Sequence, residues 1–393
     1  VYDSILFESL DTFFYLGVMH MKVRCGNRSI KGHGRMVEKL EARELLAAHV
    51  VGLPGSFPTI QLAIVAAAPG GTVTVDAGTY HESVVVDKPL TLQGASRQRT
   101  VVDGAATTVG RVTTRRTSFT ITANDVKLDG FTIQNNTDPK NGAGVVIAPK
   151  VAGTKIFNNN INHNVTGLYL ASSSSKDPAI IRNNTFAYNN NPGQNNGRGI
   201  YTDDVISGGL LTGVGIDHNT FIGNVGDGRS GNPEAAIGLE AAQSGEQFNI
   251  GITNNVMINN GKGILMFNAS LVNIASNIIT GCTDTLSAAI RDEGNVTTLA
   301  IVGNSLLFNK GAGIMIDQKF GLAPSSNITI NNNNFFGNAK GALVIATGGV
   351  TDTVNAENNW WGSFFGPSSS GQDALIANGN PVDSTPFSRF PIF

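Results

Sequence analysis

One spacing restricts this chain more than anything else in it: an apolar residue, Asn three positions on, an apolar residue at five, and Asn at eight. Ile301, Asn304, Leu306 and Asn309 give one copy, inside the stretch LAIVGNSLLFNKGAGIMI from Leu299 to Ile316. The copies starting at Ile156, Ile181, Ile216, Ile252 and Ile330 repeat it in full. Two more are degenerate: Ile274, Asn277 and Ile279 end in Cys282, and Ala356, Asn359 and Trp361 end in Phe364. Most copies run on into a Gly corner and a second short apolar run, such as Gly313 to Ile316.

The residues at the fifth position, from Phe131 through Ile161, Phe186, Phe221, Met257, Ile279, Leu306 and Phe335 to Trp361, follow one another at intervals of about 22 to 36 residues, the range of stacked supersecondary repeats. Within each copy, apolar residues alternate at spacing two over a few positions. That is the period of a short strand, and no long run of period 3.6 interrupts it. Gly and Asn mark the corners, since both accept the left-handed backbone that sharp bends need. Short strands, tight corners and a coil-length period predict a solenoid whose coils stack about 4.8 Å apart. Asn at one corner of every coil predicts an interior column of amides bonded to one another and to the backbone.

These repeats resemble the right-handed parallel β-helix of the pectin-lyase-like superfamily, with its inward asparagine ladder. The segment Phe57–Gly94, with an apolar helical face at Ile60, Ala63, Ile64 and Ala67 and the turn Gly78-Thr-Tyr-His-Glu82, is similar to the opening coils of such proteins. Asn358-Asn-Trp-Trp-Gly362 resembles their closing motif. The resemblance implies an all-β fold, a single β-helix over residues 52–367 capped by an N-terminal helix. Its function stays open, because enzymes and non-catalytic surface proteins share this fold. The helix body carries none of the superfamily's Gly-His-Gly, Arg-Ile-Lys or Asp-Pro-His-Glu signatures.

The ends differ from the middle. Residues 1–51 contain no copy of the repeat, and Arg35–Ala48 has helical charge spacing. That stretch is similar to the VE-x-LE-x-R-x-LLA segment near the start of many planctomycete surface and exported proteins, which implies a leader outside the fold and an extracellular or cell-surface location. Ser56 is the expected N-cap of the first helix, with Pro58 in its first turn. Trp360 and Trp361 are expected to pack the far end, with residues 368–393 wrapping back over the last coil as a cap. Charged residues make up only 14% of the chain and its net charge is −2, which argues against a nucleic-acid partner. No apolar run approaches the length of a membrane span. Two cysteines, one of them standing in the Asn column, leave no disulfide framework. A monomer is expected.

Chemistry is concentrated in the strand after each Gly corner. Aligned, these strands read GLYLAS from Gly167, GIYTDD from Gly199, AIGLEA from Ala236, GILMFN from Gly263, AIRDEG from Ala289, GIMIDQ from Gly313 and ALVIAT from Ala342. The second and fourth residues should point inward and are apolar except for Thr202 and Asp292. The fifth should point outward: Ala171, Asp203, Glu240, Phe267, Glu293, Asp317, Ala346. Carboxylates gather in the central coils, with Arg291 in the third column and Asp204 and Lys319 just past the strand ends. Cleavage of a glycosidic bond needs two carboxyl groups flanking it, and crowding raises the pKa of one of them. Asp203, Glu240, Glu293, Asp317 and Arg291 are therefore the candidate catalytic set. Phe267, Asp204, Lys262 and Lys319 are candidate substrate contacts. The same oxygens at Asp203, Asp204 and Glu240 are candidate ligands for Ca²⁺, and a lyase would use that ion to acidify a uronate, with Arg291 or Lys262 as base or clamp. The expected function is binding and cleavage of a polysaccharide, neutral or acidic, by a lyase or glycoside hydrolase. The rival reading is a non-catalytic surface or adhesion solenoid.

Overall fold

The computed structural model describes residues 46–393 except 106, 110–111, 115–116, 141, 205–207, 209, 228–233 and 242–246. The expected leader lies almost wholly outside the described residues.

The chain forms a right-handed parallel β-helix. Three sheets of 14, 10 and 11 strands, parallel except where Ala48–Val50 joins the first, run its length among the described residues, and a typical coil contributes one strand to each. Leu299–Val302 belongs to the first sheet, Ser305–Leu307 to the second and Ala312–Ile316 to the third. Register follows the sequence repeat residue for residue: Ile274 pairs with Ile301 and then Ile330, and Ile279 with Leu306 and then Phe335. Like therefore stacks on like inside the coil. The rings of Phe186 and Phe221 lie 5.0 Å apart at an interplanar angle of 8°, and those of Phe335 and Trp361 5.1 Å apart at 16°. Each such pair contributes about 0.5–1.5 kcal/mol beyond the area it buries.

Two asparagine columns line the corners. In the first, Asn159, Asn184, Asn219, Asn255, Asn277, Asn304, Asn333 and Asn359 are buried. Asn304 shows the bonding. Its Nδ2 donates to Asn333 Oδ1 at 3.0 Å and to Ile274 O at 2.9 Å. Its Oδ1 accepts both Nδ2 and the backbone N–H of Asn277, each at 2.9 Å. The residue before each ladder Asn is left-handed, from Asn158 at φ 55° to Asn358 at 58°, with Gly303 at 67°. This explains the Asn-Asn pairs: one makes the bend, the next fills the ladder.

The second column runs Asn136, Asn164, Asn189, Asn224, Asn260, Cys282, Asn309 and Asn338. Each of its side-chain-to-side-chain bonds runs from Nδ2 to the oxygen of the next coil, so the last must meet an acceptor. Asp373 supplies it, accepting Asn338 Nδ2 at 2.9 Å and Asn338 N at 2.9 Å. Phe364, which the repeat count puts in this column, lies outside it and is half exposed. The loop from Ser363 to Gln372 delays the column position to Asp373. Cys282 is buried, and with no oxygen to offer it breaks the lateral chain at Asn260.

The ends extend the coil further than the sequence suggested. Ala48–Val50 pairs antiparallel with Thr72–Val75, and Ala48 is buried, so the ordered fold begins before residue 52. The first helix, α1 (Ile60–Ala66), is capped by Thr59 rather than Ser56. The Thr59 hydroxyl accepts from Leu62 N at 3.1 Å, and Pro58 precedes the cap. Glu82, from the Gly-Thr-Tyr-His-Glu turn, takes the N–H groups of Ile60 and Gln61 at 3.0 and 3.2 Å, and this second acceptor fixes where the helix starts. At the other end residues 368–393 continue the winding. Leu375–Ile376 joins the third sheet, Val382–Asp383 the first, and Ser388 bridges to Trp360. Trp361 is interior, whereas Trp360 faces outward and stacks on Phe336.

The ladder predicts opposite effects at two positions. Asn304→Leu leaves the backbone N–H and one amide N–H of Asn277 without an acceptor and should cost at least about 1–3 kcal/mol. Cys282→Asn restores the missing link and should gain up to about 1 kcal/mol. Chemical denaturation of both variants checks this; unchanged midpoints would contradict the ladder's role.

Candidate functional site

The outward face of the third sheet is not a bare polar surface. In its central coils the strands Arg198–Thr202, Ala235–Glu240, Lys262–Phe267, Ala288–Asp292 and Ala312–Ile316 lie side by side. Pairing of Thr202 with Leu239, Glu240 with Phe267, Met266 with Asp292 and Asp292 with Ile316 puts Asp203, Glu240, Phe267, Glu293 and Asp317 in one column. Asp203, Glu293, Arg291 and Lys262 are buried there, Asp204 is exposed, and Glu240, Phe267, Asp317 and Lys319 are intermediate.

The carboxylates are paired with cations in two groups. In the first, Arg198 donates from Nε to Glu240 Oε1 at 3.2 Å and from Nη2 to Oε2 at 3.3 Å, a bidentate contact, and its guanidinium lies 4.4 Å from the Tyr201 ring centroid. Burial pushes the Glu240 carboxyl up against the pull of Arg198. Burial disfavours charge on Arg198 too, yet Glu240 holds it above its ordinary value. A Cβ at Gly238 would sit 2.6 Å from Glu240 Oε1 and would force the carboxylate to shift. Asn195 Nδ2 donates to Tyr169 Oη at 3.1 Å and Asp203 Oδ2 at 3.3 Å, joining Asp203 to this group.

The second group centres on Arg291, whose side chain is 5% exposed. Its Nη2 pairs with Asp317 Oδ2, its Nη1 donates to Leu286 O at 3.1 Å, and its Nε lies 3.0 Å from Glu293 Oε1 without donating to it. Lys319 Nζ meets the same Glu293 oxygen at 2.8 Å. Each carboxylate thus has one oxygen held by cations, while Glu293 Oε2 and Asp317 Oδ1 are buried with no hydrogen-bond partner. Burial pushes the Asp317 carboxyl up, opposed by Arg291 and Lys319. The ring of Phe267 contacts that of Phe320 at 6.0 Å, and Phe320 is 76% exposed. Lys262 is drawn to the other edge, where its Nζ meets Asp284 Oδ2 at 2.8 Å.

The Ca²⁺ ligand set expected at Asp203, Asp204 and Glu240 does not fit. Glu240 commits both oxygens to Arg198, and among the described residues no group of three His, Cys, Asp or Glu side chains converges to hold a metal. Sequence reasoning also missed Arg198, Tyr169, Tyr201, Asp284 and Phe320. The signal for three of them was present. Tyr169 and Tyr201 pair with each other in the third column that holds Arg291, and Arg198 stands just before its Gly corner in the column of Lys262. Asp284 and Phe320 come from loops, where no register argument reaches. Lys319 and Phe320, from the loop after the strand Ala312–Ile316, cover the site.

Inside the coil, Asp292 is the ionisable one of the two exceptions, with Thr202, to an apolar column. Its Oδ1 accepts from Gly294 N at 2.8 Å, its Oδ2 is buried without a partner, and burial pushes the carboxyl up to about 7. The raised value means that between about pH 4 and pH 7 the folded chain keeps a proton the unfolded chain has lost. Stability therefore falls as pH rises through that window. Asp292→Asn keeps the acceptor and removes the ionisation. Its stability relative to wild type should rise by as much as a few kcal/mol between about pH 4 and pH 8, and a pH-independent difference in denaturation would contradict this.

A family model described as a right-handed β-helix region matches residues 230–360. No curated protein matches the chain in sequence. Among solved structures, the A-module of the mannuronan C-5 epimerase AlgE6 of Azotobacter vinelandii is similar at a TM-score of 0.52 and 16% identity, over 84% of this chain and 93% of that one. The Dettilon tailspike protein is similar at 0.49 and 14%, over 86% of this chain and 66% of that one. At these identities the likeness is one of fold.

Proposed function

We propose that the chain is a carbohydrate-active enzyme that cleaves a polysaccharide outside the cell, with Glu293 and Asp317 as its catalytic pair. One observation carries this reading: two carboxylates on successive coils share a single buried guanidinium, and each keeps one oxygen without a partner. Their backbones stand one coil apart, about 4.8 Å, close to the carboxyl separation of a retaining glycoside hydrolase. Asp317, with its carboxyl pushed up, is the acid. It protonates the glycosidic oxygen as the bond to the anomeric carbon breaks, while Glu293 Oε2 bonds to that carbon. The Asp317 carboxylate then takes a proton from water, whose oxygen attacks the same carbon and releases Glu293. Arg291 is a positioning residue that fixes both carboxylates, and Phe267 and Phe320 offer ring faces to the sugar. Access requires the segment of Lys319 and the exposed Phe320 to lift from the site. Asp203 and Glu240, joined through Asn195, the Tyr169–Tyr201 ring pair and Arg198, extend the same face toward the N-terminus as further substrate contacts. The likeness in fold to a mannuronan epimerase module is in keeping with a polysaccharide substrate.

A second reading, a non-catalytic surface solenoid, is favoured by the burial of Glu293, which is 2% exposed and doubly contacted by cations. In that case the network is a clamp between coils.

Activity separates the two. In a panel of neutral and acidic polysaccharides, reducing ends should appear without the absorbance of unsaturated uronates, which would instead signal a lyase. Glu293→Gln and Asp317→Asn should each lower turnover by about 10²–10⁴-fold, and Phe267→Ala should act chiefly on KM. The rate should fall as pH rises past the elevated Asp317 titration. A clamp predicts no product on any polymer, and for Glu293→Gln only a loss of stability of about 1–3 kcal/mol.

A further inference from the structure

The C-terminal coils carry a feature the catalytic reading does not use. Between the second-sheet strands and the loop from Ser363 to Gln372 lies a cavity of about 500 Å³, within the size range of small-ligand sites. Phe308 and Phe336 form one wall, their rings perpendicular at 5.3 Å, and Phe336 is backed by Trp360 at 5.7 Å and 15°. Phe365, 87% exposed, forms the other, steadied edge-on by Phe364 at 5.5 Å. Trp361 lies in the floor, and its buried indole N–H has no acceptor. Phe308 holds a φ of 53°, a conformation costly for a bulky residue, with its ring still open to solvent.

The rest of the lining decides the ligand. Ser363, Ser368 and Gln372 supply hydroxyl and amide groups. Asp373 is the one ionisable side chain in the lining, and Gly337 N, Asn338 N and Asn338 Nδ2 already occupy its carboxylate, at 2.6, 2.9 and 2.9 Å. Flat apolar faces with a polar rim and no free charge suit a molecule that is apolar on its ring faces, hydroxylated at its edges and neutral. A protein partner would need a broader surface than this concave site, and an anion would find no cation among the lining residues.

We infer that this pocket is a second saccharide site, which takes neutral pyranose units and lies apart from the carboxylate pair. It sits at the corner where the chain enters the third sheet, whereas Glu293 and Asp317 sit where it leaves. It anchors a glycan and performs no chemistry.

Both tryptophans of the chain, Trp360 and Trp361, are at this pocket, so intrinsic fluorescence reports on it directly. The full chain is titrated with hexasaccharides of β-1,4-glucose, β-1,3-glucose, β-1,4-mannose and β-1,4-xylose, and with hexa-uronates. Saturable fluorescence change with at least one neutral hexasaccharide is expected, with affinity lowered about tenfold in Phe365→Ala, a surface change that spares the core, and in Phe336→Ala. Asp317→Asn should bind as wild type does, so a failed hydrolase reading leaves this result standing. Absence of binding to all four neutral probes, or equal affinity in Phe365→Ala, would overturn the inference. So would tighter binding of the uronates, or a fluorescence change that follows protein concentration alone, the mark of self-association through these rings.

Discussion

The structure depends on one hydrogen-bonding unit, the side-chain amide of an interior asparagine at a coil corner. A solenoid turns its backbone sharply in every coil, and each bend strands polar groups where water cannot reach. The Asn304 amide answers this completely, donating twice and accepting twice along the stack. An aliphatic residue would fill the same space and leave two donors of Asn277 without an acceptor, each at a cost of about 1–3 kcal/mol. In the second column each lateral bond runs from an amide N–H to the oxygen of the next coil, so that column has a direction and needs an acceptor at its end, which Asp373 supplies.

The ladder also sets register, and register builds the outer face. Once Asn277, Asn304 and Asn333 are stacked, the strands that follow them have no freedom to slip, since a shift of one residue would turn every side chain to the opposite face. Glu293 and Asp317 therefore meet over Arg291 although they are far apart in the sequence. A parallel stack brings equivalent positions together in every coil, so a run of carboxylates in one column would repel. The chain answers with Arg198, Arg291 and Lys319 from other columns and from a loop, which neutralise the acids in pairs.

Much of this was legible in the residues. The repeat spacing yields the coil, its interior stacks and the outward column, because each depends on periodicity and strand alternation alone. The pairing of the carboxylates was less legible. Arg198 and the two tyrosines stand in columns that the alignment exposes, but their importance rests on burial, and what buries an outward strand is loop structure without a period. Phe320 and Asp284 lie in such loops. The ends were misjudged for a related reason. Thr59 caps α1 instead of Ser56 because Glu82 from the next coil fixes the first turn, and the repeat count at Phe364 misses a loop that postpones the column to Asp373.

The most direct test is a crystal structure of the Asp317→Asn variant, soaked with an oligosaccharide of a polymer the wild type cleaves. The account predicts the Lys319–Phe320 segment lifted, a sugar ring against Phe267, and an anomeric carbon about 3–3.5 Å from Glu293 Oε2. Sugar bound on another sheet, with Lys319 still closed on Glu293, would contradict it.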